Sequence, residues 1–330
     1  MLILAKAVMA IMLGFALSAF FGYFVVKFFK RKQAVQSVSA TLGKSHLAKS
    51  GTPTMGGIIF IIPTLIIMIG LSVTGRVEFS TNLFIVLFVF VAYAILGLVD
   101  DLLIIKRHNN EGLSIFMKLA LQIIIALIFF YIFLSSGNEP TVNIHTLGIK
   151  IHLGFLYGMF LLFVLVASSN AVNITDGLDG LAGGLSAIAF FAFGIITWGA
   201  NWASGNESVA IFCFVLVGSI VGFLVYNCHP AKIFMGDTGS LSLGAALASV
   251  AIITNHELTL VIVALVFVIE TLSVIIQSVA LIKFHTKVFL MAPLHHHFEK
   301  LGWSEVDVVR LFWSIGLILS MLAIGFGVWI

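Results

Sequence analysis

Along the chain, long apolar runs alternate with short segments that hold nearly all of the polar residues. A helix needs about 20 apolar residues to cross the hydrocarbon core of a bilayer. By that measure the pattern predicts ten spanning helices, over roughly 3–26, 55–73, 81–99, 116–134, 153–171, 181–199, 208–226, 239–254, 258–282 and 309–329. The first run is longer than the apolar region of a signal peptide and is followed by others, so it reads as a span. The eighth is short and rich in Gly, Ala and Ser. Such residues let helices approach closely, which places this span inside the bundle. No long repeat and no Pro/Ser-rich linker divides the chain, so residues 1–330 read as one all-α polytopic membrane domain.

Composition agrees: 61% of the 330 residues are hydrophobic and 9% are charged. Soluble domains carry about 25% charged residues. A soluble globule, a disordered chain and a nucleic-acid binder are therefore excluded. Cys213 and Cys228 are too few for a disulfide framework or a thiolate metal site.

Where the charges sit is more informative than their number. If the loop after the first span is cytoplasmic, 14 of the 17 Lys and Arg fall on that side, leaving Lys6, Arg76 and Lys150 on the other. The positive-inside rule then puts both termini outside the cytoplasm. All six Asp residues and seven of the ten His, among them His46, His108, His229 and His285, share the cytoplasmic side. Asp is not sorted by that rule. The clustering points to a reaction site at the cytoplasmic face.

Five segments carry the candidate chemistry. Asp100-Asp101 follows the third span, and two carboxylates at the end of a membrane helix need water, a partner or a metal. Asn170 and the run Asn173-Ile-Thr-Asp176-Gly-Leu-Asp179-Gly supply oxygen ligands suited to Mg²⁺, a phosphate–Mg²⁺ complex or a polar nucleotide. On a helical turn Asn173, Asp176 and Asp179 would share one face. An N-cap role for Asp179 is the plainer alternative there. Asn227, Phe234 and Gly236-Asp237-Thr-Gly lead into the eighth span, and Asp237 is placed to hold a metal that bridges phosphates. His295, His296 and His297 diverge too much to ligate one ion, and fit phosphate contacts better. Lys49 and Thr52 lie in the run Lys49-Ser-Gly-Thr52-Pro-Thr-Met-Gly-Gly before the second span. Lys118 lies just inside the fourth span, where an ammonium needs a partner. Glu270 and Gln277 share a face of the ninth span, and Glu270 lies deep enough for a purely structural role.

Together these motifs resemble the polyprenyl-phosphate N-acetylhexosamine-1-phosphate transferases. The Pro-Leu-His-His-His-Phe-Glu and Gly-Thr-Pro-Thr-Met-Gly-Gly runs are similar to the branch that handles the muramoyl-pentapeptide. The resemblance covers essentially the whole chain. It implies transfer of the phospho-sugar from UDP-N-acetylmuramoyl-pentapeptide to undecaprenyl phosphate, with release of UMP and a need for Mg²⁺. It implies that Asp100, Asp101, Asp237 and His295 are catalytic, and that Asp237, with Asp100 or Asp101, holds the Mg²⁺. It further implies a substrate cleft lined by Lys49, Thr52, Lys118, Asn170, Asn173, Asp176, Asp179, Asn227, Phe234, Gln277, His296 and His297. The expected partners are the two substrates and the lipid bilayer of a bacterial plasma membrane, with a homodimer compatible and nucleic acid excluded. A sister enzyme moving N-acetylglucosamine 1-phosphate is the alternative within the class. A multispan transporter is the alternative outside it, but transporters place their coupling acids near the bilayer midplane.

Overall fold

A computed structural model describes residues 2–32, 49, 51–107, 112–144, 148–199 and 206–329. Lys44, His46 and His108, assigned above to the cytoplasmic side, lie outside the described residues. The helices, in chain order, are α1 (Leu2–Lys32), α2 (Ile58–Val73), α3 (Thr81–Arg107), α4 (Ile115–Ser135), α5 (Leu156–Thr175), α6 (Leu181–Gly199), α7 (Glu207–Asn227), α8 (Gly236–Ile253), α9 (Glu257–Val263), α10 (Leu265–Val279), α11 (Leu294–Lys300) and α12 (Glu305–Ile324).

Among the described residues, nine helical segments are long and apolar enough to cross a membrane. The expected second span is a shorter apolar helix, the 16-residue α2. At 1.5 Å per residue it reaches about 24 Å, and the segment before it continues into the fold as irregular chain. The expected ninth span is split at Ala264 into α9 and α10, and α10 ends in a wider turn over Ala280–Phe284. A two-stranded antiparallel hairpin, β1 (Thr141–Ile144) on β2 (Ile149–His152), joins α4 to α5. The all-α expectation missed it because eight residues of strand contribute little periodicity to a chain of this length.

The bundle is layered by sequence. Helices α7 and α8 are buried along almost their whole length and form its centre. Lipid-side positions such as Met9, Phe20, Leu127, Tyr131, Ile282 and Ile318 are exposed large hydrophobics on α1, α4, α12 and the end of α10. Only an apolar solvent tolerates so much of this surface. The small-residue helix α8 is in the interior, as its composition predicts.

One close approach fixes the geometry that follows. Helix α3 packs on the N-terminus of α8 at Gly97, where a Cβ would overlap the Asp237 carbonyl group and the Thr238 nitrogen. The sequence motif Gly-Leu-Val-Asp-Asp thus brings the acidic pair against the Gly-Asp-Thr-Gly turn. The Asp pair is not at a helix end, as expected above: α3 runs on to Arg107, placing Asp100 and Asp101 inside its last two turns. Both carboxylates are buried, at 3% and 2% exposure.

Gly97→Leu should lower the melting temperature in detergent, because overpacking a tight contact costs about 1–3 kcal/mol. Gly70→Ala, on α2 with no neighbour near the added carbon, is the control. Equal melting temperatures for the two variants would show that the α3–α8 approach is not sterically fixed.

Candidate active site

All the polar segments singled out in the sequence meet at one end of the bundle, where α1, α3, α5, α7 and α10 finish and α2, α4, α6, α8 and α12 begin. Two linked centres form there.

The first is built on α8. Asp237, in the first turn of that helix, has both carboxylate oxygens engaged: Asn173 Nδ2 donates to Oδ1 at 2.8 Å and Lys118 Nζ to Oδ2 at 2.8 Å. Lys118 also donates to Asp100 Oδ2 at 3.1 Å, so one ammonium bridges two carboxylates. Asp100 takes a further hydrogen bond from the Leu113 N–H at 2.6 Å, which draws the start of α4 onto α3. Asp101 does something different. Its Oδ1 accepts the Asp237 N–H at 3.1 Å, and its Oδ2 accepts the Thr238 N–H at 3.0 Å and the Thr238 hydroxyl at 2.6 Å. It satisfies free N–H groups at the start of α8 from another helix, where a carboxylate is favoured by the helix dipole. Adjacent residues of one helix point about 100° apart, which explains how the pair divides its work.

Asp176 follows the last turn of α5. Burial first, then the charges of Asp237, Asp101 and Asp179, holds its carboxyl well above the usual carboxylate range. The centre therefore holds Asp100 and Asp237 on the Lys118 ammonium, with Asp101 on the N–H groups beside them and Asp176 near enough for the charges of Asp237 and Asp101 to act on it. This surplus of hard oxygen donors fits a small divalent cation.

The second centre joins four segments. Lys49 Nζ donates to Asp179 Oδ1 at 2.7 Å and to Glu305 Oε1 at 2.6 Å. Glu305 Oε1 also accepts the Asp179 N–H at 2.6 Å, and His229 Nδ1 lies 3.1 Å from Asp179 Oδ2. Asp179, His229 and Glu305 are close enough to hold a metal among the described residues, but the Lys49 ammonium already neutralises two of them. The shared helical face expected for Asn173, Asp176 and Asp179 does not form. Helix α5 ends at Thr175 and the chain leaves the helix in turns from Asp176 onward, so Asn173 joins the first centre and Asp179 the second.

The remaining candidates have distinct places. Both ends of the buried Asn227 amide are used within the fold: Oδ1 accepts the Gly180 N–H at 3.1 Å and Nδ2 donates to the Ile233 carbonyl at 2.9 Å. Asn170 Nδ2 donates to the Val166 carbonyl of its own helix. The Phe234 backbone clasps the segment before α2, donating to Pro53 O and accepting from Gly56 N, both at 2.8 Å. Thr52 lies in that segment, half-buried, with its N–H on the Lys49 carbonyl. Gln277 Oε1 accepts the Val288 and Phe289 N–H groups and holds the segment leading to the histidines. His296 pairs with Glu299 at 2.6 Å, and His297 Nδ1 accepts the Leu290 N–H. His295 is fully buried beside Glu270. Sequence reasoning missed Glu305 altogether. Its only signal was an acid opening a helix after Ser304, which a capping role explains equally well.

Comparison with known proteins gives the arrangement a family. Residues 83–255 match the Glycosyl transferase family 4 model, and residues 49–61 match Phospho-N-acetylmuramoyl-pentapeptide-transferase signature 1. A phospho-N-acetylmuramoyl-pentapeptide-transferase of Geobacillus sp. (strain WCH70) is 45% identical over 323 residues, covering 98% of each chain. The chain belongs to the phospho-N-acetylmuramoyl-pentapeptide-transferase family. Proteins of that name from Geobacillus thermodenitrificans and Bacillus subtilis (strain 168) are 44% and 43% identical, with at least 97% of each chain covered. The signature segment of the family opens on Lys49, the residue that ties the second centre together, and the longer match holds the whole of the first.

Lys118→Met leaves the buried Asp100 and the partly buried Asp237 carboxylates without their shared cation. It should cost about 1–3 kcal/mol of stability, and adding Asp100→Asn should recover part of that. Thermal unfolding of the two variants in one detergent checks this. An unchanged melting temperature in Lys118→Met would show that the ion pairs contribute nothing.

Proposed function

We propose that the chain transfers phospho-N-acetylmuramoyl-pentapeptide from its UDP-linked form to undecaprenyl phosphate, giving lipid I and UMP for peptidoglycan synthesis. The observation that carries this reading is the bridging of Asp100 and Asp237 by Lys118, beside Asp176, at one end of the bundle. A lipid phosphate is confined to the headgroup plane and the nucleotide is soluble and cytoplasmic, so their reaction belongs at such an end. The positive-inside rule makes that end cytoplasmic and both termini extracytoplasmic, in a bacterial plasma membrane.

Phosphoryl transfer depends on positioning and on offsetting the charge of the reacting phosphates. Asp237 would hold Mg²⁺, and Asp100 is the better placed of the adjacent pair to share it. Asp101 has both oxygens committed to the start of α8. Bound there, Mg²⁺ supplies charge neutralisation to the pyrophosphate of the nucleotide. Asp101 acts by fixing where Asp237 stands. Lys118, released from one carboxylate, is within reach of a phosphate oxygen. Lys49 and Asp179 contact the nucleotide, and His295 Nε2 accepts a hydrogen bond from a protonated phosphate hydroxyl. The oxygen of undecaprenyl phosphate attacks the sugar-proximal phosphorus in line. A new P–O bond forms as the bond to the UMP oxygen breaks, and UMP leaves with that electron pair. Asp100 orients the attacking phosphate.

Asp237→Asn should retain the melting temperature within a few degrees and lose about 10²–10³-fold in UMP release, the scale of removing a charge-stabilising group. Near-normal turnover would remove Asp237 from the reaction. A single displacement also predicts no exchange of labelled UMP into the UDP-sugar without lipid phosphate. Exchange under those conditions would establish a phosphoryl-enzyme instead.

A further inference from the structure

Glu270 lies in α10, buried to 1% exposure, in the ninth span. A carboxylate in that position has a large desolvation cost unless its oxygens are engaged. Both are engaged by one residue. Oε1 accepts the backbone N–H of His295 at 3.1 Å, and Oε2 lies 3.0 Å from His295 Nδ1. An ionised carboxylate can only accept, so Nδ1 must carry the proton in this contact.

The other ring nitrogen is in the opposite situation. His295 is 0% exposed, and its Nε2 has no hydrogen-bond partner among the described residues. An unsatisfied buried nitrogen is costly and rare. The residue over it is Gly177, where a Cβ would overlap Nε2. Gly177 is itself exposed, so a single backbone turn separates Nε2 from the outside. That turn carries Asp176 on one side and Asp179 on the other. The ring is further fixed by edge contact with His296, their centroids 4.2 Å apart.

We propose that Glu270 is the positioning residue of His295, holding the ring with Nδ1–H inward and Nε2 presented as an acceptor to the Asp176–Asp179 turn, where it takes a hydrogen bond from the hydroxyl of a singly protonated substrate phosphate. This rests on the reading of His295 given under Proposed function. It gives the deep acid of the ninth span a role in the reaction without contact with the substrate. Without Glu270 the ring loses the acceptor that selects its tautomer, and the start of α11 loses the partner of its His295 N–H.

The test uses the full chain in detergent. Glu270→Gln should lower kcat about 10–100-fold, the usual scale for removing the group that orients a functional imidazole, with KM for the UDP-sugar within about twofold. Glu270→Asp, which keeps the charge, should fall between wild type and Glu270→Gln. The Glu270→Gln/His295→Ala double variant should be no slower than His295→Ala alone, because the two residues act as a unit. An independent readout is the ¹⁵N spectrum of labelled histidine, with His295 assigned by its loss in His295→Asn. Wild type should show the Nδ1–H tautomer, and Glu270→Gln should lose that preference. If His295→Ala is inactive while Glu270→Gln keeps its kcat and its tautomer, the proposal alone is overturned. If His295→Ala turns over at the wild-type rate, the reading of His295 at the reacting centre falls, and this proposal with it. A double variant well below both singles would mean that Glu270 supports the fold independently, which also overturns the proposal.

Discussion

The structure of the site depends on one constraint: four carboxylates are crowded at the end of a membrane bundle, and the Lys118 ammonium pairs with two of them. Like charges at that spacing repel strongly where little water can screen them. The fold offsets this in two ways. Lys118 bridges Asp100 and Asp237, and the start of α8 receives Asp101 through two N–H groups and a hydroxyl. Burial and the neighbouring charges still hold the Asp176 carboxyl well above the usual carboxylate range. The Mg²⁺ proposed above would offset this crowding of hard oxygen donors.

The position of α8 makes this arrangement possible. Small residues let the neighbours of α8 come close: Gly244 of α8 lies against the Ser168 carbonyl of α5, and Gly97 of α3 lies against the start of α8. The same small-residue composition that weakens α8 as a hydropathy signal thus brings Asp237 to within reach of α3, α4 and α5. The second centre is built differently, from segments that flank helices. Glu305 and Asp179 share the Lys49 ammonium, so the C-terminal helix α12 is tied to the signature segment before α2.

Much of this was legible in the sequence because the solvent is a bilayer. Hydropathy alone located ten apolar segments, and the scarcity of charge made Asp100, Asp237 and Lys118 stand out before any contact was known. The failures have physical causes. α2 is shorter than its apolar run because the Pro53–Gly57 portion pairs with Phe234 instead of entering a helix. Asp100 and Asp101 looked like a helix end because apolar character stops there, while the backbone hydrogen bonding continues to Arg107. Asn173, Asp176 and Asp179 suggested one face because their spacing is helical, yet the helix ends at Thr175 and the turn that follows separates them. The pairings of Glu305 and Glu270 were invisible because each is made across a long stretch of chain, and spacing carries no information on such contacts.

The central claim is that this cluster carries out metal-dependent transfer of a muramoyl-pentapeptide phosphate. It is tested most directly by measuring UMP release by the purified chain with undecaprenyl phosphate, offering either UDP-N-acetylmuramoyl-pentapeptide or UDP-N-acetylglucosamine, with Mg²⁺ and after its removal by a chelator. The account predicts release with the muramoyl substrate alone, lost on chelation and restored by added Mg²⁺. Release that persists in the chelator, or that requires the N-acetylglucosamine nucleotide, would contradict it.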